Sequence, residues 1–317
     1  MSRFKKFTAL LFTAIIVISA FAGATSTVKA DDEVNTITIG AVKGTYAVPL
    51  LVAKQYNLDK NNNASIDVKT YNSTKELNDA LKAGEITGAF TDLVNYAAIT
   101  KSTSSYKIVG QSSGYQGLVA NKKYKKVDSL KGKTIAVEKN DASKYYLKTI
   151  LEDNNLKLSD VKIKEIADPS DRVSQLKSKK VDAIVVGDPF ITNAEKNGAK
   201  VLKKQNINKS NDNVIIMSKE SLSTDISNVN MFINVYNDGI KAFNKGGFTT
   251  ADQVLVEQGA TREAAVKMND LDIDLSKAKK VKKSDYDRVM KYAKSAKVNT
   301  KPAEFKKEFA KLANITK

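Results

Sequence analysis

The sequence predicts two similar α/β lobes facing each other over a cleft, each a doubly wound sheet, with a helical C-terminal tail. Three observations lead there. The first is an internal echo about 95 residues apart. Thr38-Ile39-Gly40-Ala41-Val42-Lys43-Gly44-Thr45 followed by Leu81 to Asp92 is answered by Thr134-Ile135-Ala136-Val137-Glu138-Lys139-Asn140-Asp141 followed by Leu176 to Asp188. Each copy reads as strand, polar loop, helix, then a helix-to-strand unit ending in an acidic loop. The second is the alternation of strand and helix signals, which implies a mainly parallel sheet. The third is that the chain beyond Met217 is almost wholly helical in pattern.

The elements follow in order. Thr36 to Val42 alternates and then runs apolar into the Lys43-Gly44-Thr45 loop. Tyr46 to Tyr56 carries apolar residues at a helical period, with Pro49 in the first turn, where proline is tolerated. Ile66 to Thr70 alternates as a strand. Ser73 followed by Glu76 predicts a capping box for a helix over Thr74 to Ala83, stopped at Gly84. Ile86 to Phe90 and Tyr106 to Gln111 read as further strands. Lys122 to Lys133 is a charged connector into the second copy. A helix up to Asn197-Gly198 precedes Ala199 to Leu202, Lys203 to Asn213 reads as a polar return linker, and Val214 to Met217 as a strand. Helices are predicted over Val229 to Lys245, Ala251 to Gln258, Arg262 to Asn269, Asp285 to Ala296 and Pro302 to Ala313.

The first thirty residues read as a leader. Arg3, Lys5 and Lys6 precede an apolar run from Phe7 to Ala22, and Val28-Lys29-Ala30 is a small-residue cleavage site, with Ala22 and Ala24 as rival sites. That is the pattern of a secretory signal peptide, and the apolar run is short for a spanning helix. The remaining 287 residues suit two ordinary domains. They hold 48 basic residues against 35 acidic ones, a net charge of +13. Nearly all the basic residues are lysines; Arg3, Arg172, Arg262 and Arg288 are the arginines. Nucleic-acid readout favours arginine, and the leader points outward, so the expected charged partner is an anionic cell wall or membrane surface, not nucleic acid.

Cysteine and histidine are both absent. No disulfide, lipid-anchoring cysteine, Ser-His-Asp triad or ordinary zinc site is therefore available. No motif for carboxylate or Ser-Lys catalysis stands out. The expectation is a non-enzyme without metal or cofactor.

The motifs resemble those of bacterial ABC-transporter solute-binding proteins of the nitrate/sulfonate/taurine group, which includes binders of thiamine pyrimidine precursors. The resemblance rests on Leu81-Lys82-Ala83-Gly84-Glu85-Ile86 with Thr91-Asp92, on Leu130 to Val137, on Val181-Asp182-Ala183-Ile184 with Asp188-Pro189-Phe190, and on Asn197 to Leu202. It covers roughly residues 36 to 275. Sulfonate binders often carry Trp before the Asp-Pro; this chain has Gly187 there and no Trp. The resemblance implies a type II periplasmic-binding-protein fold. A signal peptide would span residues 1–30, one lobe 31–115 with 213–317, the other 116–212, and the protein would be an exported monomer. It implies capture of a small anionic or zwitterionic solute, such as a sulfonate, taurine or nitrate, for an ABC permease and its ATPase. A thiamine pyrimidine precursor is the alternative cargo, and a charge-retained surface adhesin the alternative role.

In such sheets ligands bind beyond the carboxyl ends of the strands, which directs attention to the loops there. Backbone N–H groups at helix N-termini suit an oxyanion; Gly44-Thr45-Tyr46, Asn72-Ser73-Thr74 and Asp141-Ala142-Ser143 fit, with hydroxyls from Thr45, Ser73 and Ser143. Thr91, Asp92 and Asp188 sit in equivalent acidic loops and suit an ammonium or hydroxyl. Ser113, Tyr115 and Phe190, with Tyr46, complete the candidate set, the aromatics as apolar walls.

Overall fold

The computed structural model describes residues 36–313 and 315, except 272 and 274; the leader lies outside the described residues. Chain order in the first half is β1 (Ile37–Val42), α1 (Val48–Gln55), α2 (Leu58–Asn61), β2 (Ile66–Tyr71), α3 (Thr74–Ala83), β3 (Gly88–Asp92), α4 (Leu93–Thr100) and β4 (Tyr106–Gln111). There follow β5 (Gly117–Ala120), β6 (Thr134–Val137), α5 (Ala142–Glu152), β7 (Lys162–Glu165), α6 (Pro169–Lys177), β8 (Ala183–Val186), α7 (Phe190–Lys196) and β9 (Lys200–Lys204). The chain ends with β10 (Asn213–Ser218), α8 (Lys219–Thr224), α9 (Ile226–Gly246), α10 (Asp252–Glu257), α11 (Arg262–Met268) and α12 (Lys283–Ser295).

Two five-stranded sheets result, ordered β2-β1-β3-β10-β4 and β7-β6-β8-β5-β9. They share one plan. In the first, β10 runs antiparallel to both β3 and β4; in the second, β5 runs antiparallel to both β8 and β9. The sheets are therefore mixed, and each antiparallel strand adjoins a segment that crosses between them. β1 superposes in role on β6 and β3 on β8, which is the repeat read from the sequence.

Both faces of each sheet are covered, which explains the near-continuous burial of the central strands. On the first sheet, Ile37, Ile39 and Ala41 face a core with α1 and α9, while Ala89, Val214 and Ile216 face one with α3, α4 and α12. The 21-residue α9 buries Val229, Phe232, Ile233, Tyr236, Ile240 and Phe243 at helical spacing. Phe90 meets Phe232 and Tyr236 at ring separations of 6.3 and 5.3 Å. On the second sheet, Ile135 and Val137 pack with α5 and Val119 and Ile184 with α6 and α7.

Local signals placed several ends correctly. Ser73 Oγ accepts from Glu76 N at 3.2 Å, and the Glu76 carboxylate returns to Asn72 N at 2.9 Å. Gly84 ends α3 at φ 71°. Two expectations fail. Leu93–Thr100 is a helix that follows directly on the Thr91-Asp92 stretch read as an acidic loop, started by Asp92, which accepts from Val94 N and Asn95 N. The helix expected over Pro302 to Ala313 does not form. A single 3₁₀ turn at Phe305–Lys307 is followed by a parallel bridge from Phe309 to Ile108 on the edge strand β4. Ile108 N donates to Glu308 O at 2.8 Å and Ala310 N to Ile108 O at 3.0 Å. The Phe305 and Phe309 spacing that reads as a helical stripe instead sets both rings edge-on against Tyr286. Covering an open sheet edge outcompetes the local preference. Among the described residues, no helix is long and apolar enough to cross a membrane.

Candidate functional site

The carboxyl ends of β1, β3, β6 and β8 converge, so the loops that follow them meet between the two sheets. They enclose a cavity of about 50 Å³ lined by Lys43, Gly44, Tyr46, Thr91, Asp92, Gln116, Glu138, Asp141, Arg172, Asp188 and Phe190 among others. A buried water needs on the order of 10–15 Å³ of such space, so in this conformation the cleft has room for a few waters and not for an organic solute.

Backbone and side-chain bonds close it. Thr45 N donates to Asp188 O at 3.0 Å, Thr74 N to Glu138 Oε1 at 2.9 Å, and Gln116 Nε2 to Tyr46 OH at 3.0 Å. The N–H of Ala142, first residue of α5, faces Asp92 from the other side and favours its ionised form. The three helix N-termini proposed as oxyanion sites thus already hold acceptors of the protein itself. Tyr46 fills the middle. Its ring lies over Gly114, where a Cβ would come within 2.3 Å of ring carbons, so only glycine admits the aromatic there.

Of the twelve predicted residues, Gly44, Tyr46, Thr91, Asp92, Asp141, Asp188 and Phe190 line the cavity. The other five do other work. Thr45 contributes its N–H to the interlobe bond, and Ser73 caps α3. Ser113 Oγ donates to Ser276 O and accepts from Ser276 N, both at 3.0 Å, tying a crossing segment to the tail. Ser143 is fully buried; its hydroxyl donates to Asp141 Oδ1 and accepts from Glu138 N at 2.9 Å. Tyr115 OH donates to Asp188 Oδ2, and the Lys204 ammonium lies 4.1 Å from its ring centre. Asp188 is saturated too, since Oδ1 accepts from Thr192 N at 3.0 Å and Thr192 Oγ1 at 2.7 Å. Its carboxylate starts α7 and anchors Tyr115.

Among the lining residues not picked out from the sequence, two are ionisable and buried. Glu138 directly follows β6, and Arg172 sits in the first turn of α6 with Nη1 donating to Val185 O at 2.6 Å. Arg172 Nη2 is 3.8 Å from Glu138 Oε2, and both side chains are buried. The available signal was the rarity of arginine in a lysine-rich chain, three residues past the Asp168-Pro169 helix start. Arg172 Nε and Gln116 Oε1 are buried without a hydrogen-bond partner.

The charge balance is acidic. Loss of solvent, then the neighbouring Asp141 charge, holds the Asp92 carboxyl well above its ordinary range. Burial pushes Glu138 up to about 8, with Asp141 adding to the rise and Arg172 opposing it. Burial and the charges of Asp141 and Asp92 raise Tyr46 as well. The closed cleft therefore crowds three carboxyl groups, Asp92, Asp141 and Glu138, with Asp92 and Glu138 pushed toward the protonated form, against the guanidinium of Arg172 and the ammonium of Lys43. Among the described residues no cluster of three or more acidic side chains could hold a metal ion.

This architecture recurs in solved structures. The periplasmic aliphatic sulphonate binding protein SsuA of Escherichia coli matches with a TM-score of 0.75 at 16% identity, over 89% of this chain and 94% of that one. The alkanesulfonate-binding protein SsuA of Xanthomonas axonopodis pv. citri, bound to MOPS, matches at 0.74 and 16%, over 87% and 98%. The ligand binding component of an ABC-type import system from Staphylococcus aureus, with zinc bound, matches at 0.74 and 17%, over 88% and 97%. At such identities the likeness is one of fold, that of periplasmic binding proteins. No curated protein sequence matches significantly. The pattern of the NMT1-like family, in contrast, matches residues 30–225. The chain is a member of the NMT1-like family.

Proposed function

We propose that the solute captured here is a small organic molecule carrying an amine, in the first instance a zwitterion such as an aminosulfonate. The chain itself is a solute-binding protein of the sulfonate and nitrate import type, which works with a membrane permease. One observation carries the narrower reading: the cleft's surplus of carboxyl groups, which a bound ammonium would draw into their ionised forms. Asp92, Asp141 and Glu138 face a cavity in which Arg172 is the one buried cation. A bare oxyanion placed here meets the Asp141 carboxylate in a poorly solvated space and keeps Asp92 and Glu138 in their protonated forms, so it draws no attraction from them. An ammonium is attracted by the same groups, and Arg172 Nε–H remains to hold an anionic or acceptor end.

The aromatic walls Tyr46, Phe90 and Phe190 favour a second cargo, a thiamine pyrimidine precursor, whose amino-substituted ring also donates hydrogen bonds to carboxylates. In either case the lobes must part to admit the solute, displacing Tyr46 or Glu138 from the positions that now fill the cleft. Export, and retention at an anionic surface by charge without a lipid anchor, complete the proposal; an adhesive role on this fold is the alternative.

The test is calorimetry on residues 31–317 with taurine, ethanesulfonate, nitrate and an aminopyrimidine. Binding is expected from the amine-bearing members. Tighter binding of nitrate or ethanesulfonate than of taurine and the aminopyrimidine would overturn the reading.

A further inference from the structure

The second sheet has a strongly basic end opposite the cleft. Strand register puts it together from three separate segments. Ala120 at the end of β5 pairs with Ala183 at the start of β8 and with Lys200 at the start of β9, while Ile135 near the start of β6 also pairs with Ala183. The connector 121–133, the turn 177–182 and the turn 196–200 therefore meet at one pole. β8 carries about 13 Å of strand between that pole and the cleft loop.

The pole exposes Lys122, Lys125 and Lys126 from the connector, Lys177, Lys179 and Lys180 from the second turn, and Lys196 and Lys200 from the third. None of these eight forms an ion pair among the described residues. The acids of the three segments are Asp128 and Asp182, and Asp182 is already engaged by Tyr124 OH at 2.5 Å, Thr134 N at 3.0 Å and Lys123 Nζ at 3.9 Å. Between the segments lies a depression of about 380 Å³ lined by Lys122, Lys123, Lys177 and Lys179, by Asn121, Asn197 and Gly198, and by the apolar Val173, Leu176, Ala194 and Ala199. Unpaired ammoniums held on three loops around a recess form a concentrated positive field.

We propose that this pole is a docking surface for a linear polyphosphodiester, such as a glycerol-phosphate polymer of a cell wall, with one phosphate entering the depression and its neighbours meeting the outer lysines. Two features favour a flexible polymer over a bilayer. The lysines ring a recess that a flat headgroup surface does not enter. The exposed large apolar side chains among the described residues are Tyr56, Ile226, Val256 and Val266, all from the first sheet's side, so nothing at this pole is available to insert into a membrane interface. Lysine in place of arginine suits point-charge contact with successive phosphates without bidentate selection. The location also leaves the cleft free. The inference rests on the export and charge-retention reading for its setting but not on the identity of the solute.

The experiment uses residues 31–317 on immobilised poly(glycerol phosphate), with phosphatidylglycerol vesicles in parallel and salt varied from 0.05 to 0.5 M. Polymer binding is expected, with log affinity falling linearly in log salt through counterion release. Replacing Lys122→Gln, Lys177→Gln, Lys179→Asn and Lys180→Gln together should weaken it on the order of tenfold or more. A control with Lys60→Gln, Lys82→Gln, Lys291→Gln and Lys294→Gln loses the same charge elsewhere and should change binding less than about twofold. Equal losses in both variants would make the attraction diffuse and overturn the site. Binding to vesicles but not polymer would assign the surface to lipid instead, and no polymer binding at 0.05 M salt would end the proposal. No solute is needed, so failure here and failure of the solute reading are separately visible.

Discussion

Glu138→Gln isolates the cost of closing the cleft over a carboxyl. Glu138 Oε1 accepts the Thr74 N–H, and an amide oxygen can keep that bond. The substitution therefore removes the charge while preserving the contact. Burial raises this carboxyl from 4.5 to about 8 in the folded chain. Below about pH 4.5 it is protonated in both folded and unfolded chains, and no penalty arises. Between about 4.5 and 8 the unfolded chain gives up its proton first, so the group's contribution to stability declines as pH rises. Above about 8 both states are ionised and the penalty is constant. At 1.36 kcal/mol per pKa unit the full effect is about 3–5 kcal/mol. Glu138→Gln should match wild type near pH 5 and exceed it near pH 9, by roughly 10 °C in melting temperature for a chain of this size. Scanning calorimetry of both proteins from pH 5 to pH 9 is the assay. Parallel melting curves for the two proteins at every pH would refute the assignment of a buried, charge-penalised carboxyl at this position.

Three further outcomes are expected. Asn193 clasps the lobes outside the cavity, its amide donating to Gly259 O at 2.8 Å and accepting from Thr261 N at 3.0 Å. Asn193→Ala should cost the closed form about 2 kcal/mol. Distances between spin labels at Lys60→Cys and Lys180→Cys, clean in a chain without cysteine, would lengthen in the variant, and an unchanged distribution would count against the clasp. Asp188→Ala should destabilise the fold by about 2–4 kcal/mol, because it strands Tyr115 OH and uncaps α7; a variant that melts like wild type would restore Asp188 as a ligand group. Arg172→Met leaves Glu138 without its buried counter-charge and should cost about 3–5 kcal/mol at pH 9 and clearly less at pH 5. A loss independent of pH would show that Arg172 acts through packing alone.

The central strands and the helices flanking them were legible because each lies on a single period with an explicit stop, as with Ser73 and Gly84 around α3. The paired lobes were legible because both copies repeat the same order of strand, polar loop, helix and acidic strand end, with Lys43 answered by Lys139 and Asp92 by Asp188. What escaped was set by partners distant in sequence. Phe305 and Phe309 have the spacing of a helix, yet the open edge of β4 captures their backbone. α4 hides behind Asp92, whose capping role and ligand role call for the same residue type. In the site, the strand-end loops were found but individual roles were not. A carboxylate that binds an ammonium and one that holds a tyrosine look alike in sequence, and Asp188 is the second kind. Arg172 escaped because it reaches the cleft from a helix rather than from a loop that follows a strand.

The insertion of β10 between β3 and β4 sets an order of events for the nascent chain. The second sheet is assembled from one continuous stretch, from β5 at Gly117 to β9 at Lys204, so its contacts are comparatively local. The first sheet cannot be completed until a strand beginning at Asn213 arrives between partners that ended at Asp92 and begin at Tyr106. Closing so long a loop is entropically slow, and until it happens β3 and β4 present bare edges. A fragment of residues 116–212 should therefore acquire cooperative structure on its own, seen as dispersed amide resonances, while residues 36–115 should not. In the whole chain the second lobe becomes the template beside which the first is finished, and the interval between the two is when the protein is most open to aggregation and to capture by a chaperone.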